Sequence, residues 1–247
     1  MTDRFHDSAG VPWEGRAFEP NPWASDDGQT PAELAAALAD NQIDKAGLFA
    51  ALVSSRLLIP ILASLGESAE GEHGLTVDKS ADLAIVAVAT PDNQTAIPAF
   101  GSVADMQAWN AESRPVPVEA PKVALAAASE GHSRVILNPG TRPVALRRPM
   151  LAALAQGHAW LPPHQDPWVR SWLTVVVSRH PEILAADLFD GDPECNLAHA
   201  ELLIQLAIRP VSAERVKALL TEFTDDLRSE EFQHRVDSIG YRLVVAK

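Results

Sequence analysis

Apolar positions change their period several times along the chain, and each change predicts an element. At Thr30-Pro31-Ala32-Glu33 the order Thr, Pro, Glu is that of a capping box with proline at the first helical position. A helix is predicted there, with Leu34, Ala37 and Leu38 on one face and Asn41 at its end. Asp44 caps a second short helix carrying Leu48, Phe49 and Leu52. Arg56–Leu62 is apolar throughout and holds Pro60, which suits a buried or edge strand. The β-branched run Leu83–Ala89 predicts a central strand; Pro91-Asp92-Asn93 breaks it, and Thr95–Phe100 returns as its hairpin partner. Ser102 then caps a helix with Met106 and Trp109, Pro115 and Pro117 mark a return segment, and Val123–Ser129 is helical. Arg134–Leu137 is a strand that ends at the turn Asn138-Pro139-Gly140. Pro149–Ala155 is a further short helix.

Beyond a proline-rich linker at 158–167 the pattern starts afresh. Trp168–Val177 has strand propensity, but Trp168, Trp172 and Val175 recur at helical spacing. Ile183–Phe189 and Leu197–Ile208 read as strands around an Asp190-Gly191 hairpin turn. Ser212 caps an amphipathic helix with Val216, Leu219, Leu220 and Phe223 on one face, and Gly240–Val245 is a last strand. At the other end, residues 1–30 are acidic and proline-rich with no apolar period, and predict a disordered tail. Gly66–Asp82, glycine-rich and acidic, predicts a mobile loop.

Composition narrows the function classes. The 247 residues carry 20 Lys and Arg against 33 Asp and Glu, a net charge of −13, which argues against binding nucleic acid or an anionic membrane. No apolar run approaches the ~20 residues of a membrane helix, and the N-terminus lacks an apolar signal core, so a cytoplasmic protein is expected. A single cysteine, Cys195, excludes an internal disulfide framework.

Sites of chemistry are sparse. No Gly-x-Gly-x-x-Gly, Walker loop or Gly-x-Ser-x-Gly is present. The eight histidines are scattered; His180 and His199 read as surface or satisfied residues, and Cys195 as an inert thiol with no basic neighbour. Asp187, Asp190, Asp192 and Glu194 gather at one turn but miss the calcium-loop register, so a solvated turn is expected. The basic concentration Arg142, Arg147 and Arg148 follows the turn of Asn138 and Gly140. These five residues are the candidate ligand site, for a carboxylate or phosphate. Pairing of the arginines with nearby Asp and Glu is the favoured alternative. Trp13, Phe18 and Trp23 of the tail are candidate contacts for a partner protein, or anchors on the protein's own body.

An ordered set of segments adds a resemblance. Arg56–Ile61, Asp78–Leu83, Ile97-Pro98-Ala99-Phe100-Gly101-Ser102 with Trp109-Asn110, Arg114–Val118 and Val135–Gly140 follow one another as in the SseB (enhanced serine sensitivity) family, in its actinobacterial branch. The likeness implies an N-terminal SseB domain over about 31–157 and a C-terminal SseB domain over 168–247, the latter favouring a helix at Trp168–Val177. It implies no established activity, since the family name records a phenotype. Gly101 departs from the Thr usual there. A sulfurtransferase, sometimes given the same label, would need an active-site cysteine with basic neighbours, which Cys195 lacks.

The expectation is an α+β (α/β-like) protein: two small mixed α/β domains behind a disordered tail, joined by the 158–167 linker. It is expected to be a non-enzymatic adaptor with an unidentified protein partner and no cofactor or metal, with a homo-oligomer left open. The alternatives are a sensor of an amino acid or phosphate-bearing metabolite, and a cryptic hydrolase.

Overall fold

The computed structural model describes residues 23–63 and 83–246. The first half runs α1 (Ala32–Ala37), α2 (Lys45–Ser54), β1 (Arg56–Ala63), β2 (Leu83–Ile85), β3 (Val88–Ala89), β4 (Thr95–Ala99), α3 (Val103–Trp109), β5 (Arg114–Glu119), α4 (Ala120–Ser129), β6 (Arg134–Leu137), β7 (Val144–Arg147) and α5 (Arg148–Gln156). The second half runs α6 (Pro167–Val177), β8 (Ile183–Asp190), β9 (Leu202–Ile208), α7 (Ala213–Leu227), α8 (Glu230–Arg235) and β10 (Ile239–Val245). The fold is α+β.

Three sheets organise it. The first, in order β2-β1-β5, is antiparallel. The second, β3-β4-β6-β7, has β4 and β6 parallel and its outer pairs antiparallel. A bridge between Leu58 and Phe100 ties these two sheets together. Leu48, Leu52, Ile97, Val123, Leu137 and Leu146 are among the residues of the core between these sheets and helices α1, α2, α4 and α5. The third sheet, β10-β9-β8, pairs β10 parallel and β8 antiparallel to β9. Its buried row, Leu202, Ile204, Leu206 and Ile208, packs beneath α6 and α7 with Val169, Leu219 and Phe223.

Local chemistry sets most boundaries. Asp44, Ser102, Asp166, Ser212 and Ser229 each accept a backbone N–H of the first turn of the following helix. Trp168–Val177 is helical, as the spacing and the resemblance favour. Four expectations need correction. Thr30 does not cap α1: Pro31 takes the cap position without a side-chain bond, and α1 ends at Ala37, before Asn41. The Thr30 side chain lies against Gly101 instead, where a Cβ would come within 2.7 Å of its Oγ1, so the glycine at 101 and the threonine at 30 go together. The run Leu83–Ala89 is two strands in two sheets, because β1 and β4, its partners, belong to different sheets. The β8–β9 connection is no tight hairpin: β9 begins at Leu202, leaving residues 191–201 as a long loop.

The ordered body also begins earlier than Thr30. Arg56 donates to Asp26 Oδ1 (2.8 Å) and to the Gln29 carbonyl (2.6 Å), and the Gly28 carbonyl accepts Val103 N–H at 2.9 Å. The rest of the expected tail, with Trp13 and Phe18, and the expected Gly66–Asp82 loop lie outside the described residues.

Candidate functional site

The 191–201 loop carries the second half into the first. The Ile43 N–H donates to the Pro193 carbonyl (2.8 Å) and the Ala145 N–H, on the edge of β7, to the Cys195 carbonyl (2.7 Å). Lys45 is 5% exposed and pairs with Asp190. Cys195 is buried within the first-half core, and Leu197 packs with Ala96, Ile136 and Ala145. Both have left-handed backbones, φ 52° and 63°, which a leucine rarely adopts. Asp192 holds them there. It is 1% exposed, and its carboxylate accepts the N–H groups of Asn196 (3.2 Å) and Leu197 (3.1 Å).

Beside this loop stand two arginines that the sheet register places directly opposite each other, Arg134 on β6 and Arg147 on β7. Like charges at such positions repel, and three carboxylates from distant segments compensate. Asp237, just before β10, accepts from both Arg134 Nη atoms (2.8 Å each) and from Arg147 Nη1 (3.2 Å). Asp92, in the turn after β3, takes Arg134 Nε (3.2 Å) and Nη2 (3.1 Å). Asp192 takes Arg147 Nη2 at 2.6 Å. The side chains of Arg134, Arg147, Asp192 and Asp237 are all 7% exposed or less. A fourth acid, Glu201, lies behind them, 2% exposed, and accepts the Asp237 N–H at 2.7 Å. Burial pushes its carboxyl up to about 7, and the Asp237 charge adds to the push. Two guanidinium charges thus face three committed carboxylates and one acid disposed to keep its proton.

A cleft of about 530 Å³ opens along the cluster, lined by Gln94, Ser133, Arg134, Arg147, Arg148 and His199 among others. Of the five residues expected to bind a ligand, Arg147 and Arg148 line it and the other three do not. Arg148 donates to the Gln233 and Val236 carbonyls at the end of α8. Arg142 donates to the Leu38, Ala39 and Asp40 carbonyls just past α1, a helix C-terminus that attracts cations. Asn138 has φ 49° and accepts the Gly101 N–H through its side chain at 3.0 Å. Gly140 lies where a Cβ would meet the Trp109 backbone at 2.9 Å, so it is required by packing. The arginines are engaged inside the protein, with Arg147 paired to carboxylates.

The solvated turn expected at 187–194 holds for Asp187 and Glu194, which are exposed, and needs correction for the other two: Asp192 is buried by Arg147 and the loop amides, and Asp190 is held by Lys45. Cys195 does have basic neighbours, Lys45 and Arg147. Burial outweighs them and raises the thiol to about 12, so it stays protonated. His180 is 6% exposed and satisfied by Asp226 at 3.1 Å, and the His132 ring meets Thr95 Oγ1 at 2.9 Å. Among the described residues neither histidine joins both a carboxylate and a hydroxyl, and no group of His, Cys, Asp and Glu could hold a metal. Trp23 is half-buried.

Sequence reasoning missed Arg134, Asp92, Asp237 and Glu201. The one visible signal was an arginine opening an otherwise apolar strand. No helix among the described residues is long and apolar enough to cross a membrane.

No curated protein and no solved structure matches the chain. Residues 32–153, almost half of it, match the family model described as the SseB protein N-terminal domain. That match spans the first two sheets and most of α5, and leaves the 191–201 loop and the third sheet outside it. Through its first half, the chain belongs to the SseB family.

Proposed function

We propose that this protein is a non-enzymatic binding module that docks a partner protein on its second half. The observation that carries the reading is the asymmetry of the third sheet. One face lies beneath α6 and α7, while the other presents Phe189, 41% exposed, Val244, 44% exposed, and half-buried Leu203. Pairing of Phe189 with Leu203 across the strands puts them on one face, and Arg242 stacks over the Phe189 ring at 6.0 Å. Grouped apolar side chains beside a cation are the make-up of a protein contact. The charged groups at the junction hold the two halves together, which gives that sheet a rigid base. A photo-crosslinking residue at Phe189 should give a discrete protein adduct in a bacterial lysate, and one at Lys217, on exposed α7 surface, should not. Equal yields at the two positions, or none at either, would overturn the reading.

A second reading, a sensor of a carboxylate- or phosphate-bearing metabolite, draws on the position of Arg148 at the cleft. It predicts that such a metabolite raises the melting temperature by mass action, and that Arg148→Ala removes the shift. Arg148 is the informative position because Arg147 also holds the fold together.

A further inference from the structure

The row of backbone groups on the outer side of β10 is the strongest unassigned feature. In a parallel pair, the N–H and C=O of alternate residues point to one neighbour. The Ser238 carbonyl accepts the Leu202 N–H (3.0 Å) and the Ala246 N–H donates to Ile208 (2.9 Å), so the even-numbered residues of β10 face β9. Ile239, Tyr241, Leu243 and Val245 therefore direct their N–H and C=O groups to the open edge. Other strand edges are blunted in recognised ways. β5 carries Pro115 and Pro117, β7 is capped by the Cys195 carbonyl, and β8 has Asp187 and an irregular register between Ile183 and Ala185. Among the described residues β10 has no proline, bulge or covering segment at its edge; its one charge is Arg242, and three consecutive exposed apolar residues, Leu243, Val244 and Val245, end it.

Charge selects the occupant. Residues 238–247 contain Arg242 and Lys247 and no acid, in a chain of net charge −13. A second copy pairing antiparallel would bring two Arg242 side chains to one face, where like charges repel. We propose that β10 takes an extended apolar segment of a partner protein as a fourth strand, with a carboxylate of that segment beside Arg242. This deepens the binding-module reading and rests on it.

The test uses the full chain and two synthetic peptides of alternating valine and threonine, one with glutamates on a single face and one with lysines there. The glutamate peptide should slow hydrogen exchange at the Tyr241, Leu243 and Val245 amides. The lysine peptide should bind about three- to fivefold more weakly. Leu243→Pro removes an outward N–H and trims a partly exposed side chain while leaving the ladder to β9 intact, so it should abolish binding with only a small change in the thermal melt. Val244→Pro breaks the ladder to β9 and should lower the melt. Unchanged exchange with the glutamate peptide, equal binding of the two peptides, or full binding by Leu243→Pro would each overturn the proposal. So would outward amides already protected in the free chain: concentration-dependent protection would identify a second copy, and protection lost on removing residues 1–22 would identify the chain itself. A Phe189 crosslinked partner that binds the Leu243→Pro chain equally well would sink the edge and leave the binding module standing.

Discussion

Glu201 shows how far one side chain can depart from its usual chemistry when its neighbours are fixed. Its carboxyl titrates near 7 in the folded protein because burial penalises the anion, against 4.5 for an unperturbed glutamate. A raised acid binds its proton more tightly when folded. Its contribution to stability is therefore full below the unfolded value and declines as pH rises from about 4.5 to about 7. The difference amounts to about 3 kcal/mol. Glu201→Gln keeps the shape and the acceptor for the Asp237 N–H and removes the proton. Denaturant unfolding of the two chains should coincide near pH 4, with the variant more stable near pH 8. Parallel curves across that range would contradict the assignment.

At the scale of elements, the 191–201 loop depends on Asp192, which caps two of its amides and pairs with Arg147. Asp192→Ala should cost about 3–5 kcal/mol, since it leaves a buried guanidinium under-paired. It should also speed hydrogen exchange at Asn196 and Leu197 before the core strands respond. Uniform acceleration would mean that the loop has no separate hold. The sequence discloses elements such as α2, α3 and α7 well, because an Asp or Ser cap and an apolar face are signals spanning a few residues. It discloses β7 and α8 poorly. β7 is four residues long, and although Ser229 and the acids behind it could have announced α8, only Phe232 of that helix is buried. The division of Leu83–Ala89 between two sheets is invisible locally because it is set by the partners. The ion cluster is hidden for the same reason: Arg134 and Asp237 are 103 positions apart, and nothing in either neighbourhood names the other. The three arginines after Asn138 are legible because they are close in sequence, and the structure sends them to different partners.

For the molecule as a whole, the two halves share their interiors. Cys195 belongs to the first-half core, Leu197 to its second sheet's flank, and the carboxylates that neutralise Arg134 and Arg147 come from both sides of the junction. The full chain should melt in one transition with equal calorimetric and van't Hoff enthalpies, although it has two hydrophobic clusters of domain size. A chain ending at residue 157 should fail to reach a native state. Two resolved transitions would show instead that each half stands alone. The borrowed cysteine also bears on synthesis. Domains emerging from the ribosome commonly fold first at the N-terminal end, yet here the segment that the family match marks out leaves the ribosome with a gap in its interior and two arginines facing each other. It must wait for Asp192, Cys195 and Asp237 to be translated, so nascent chains should gain protease resistance late and abruptly, after the tail end of the message has been read.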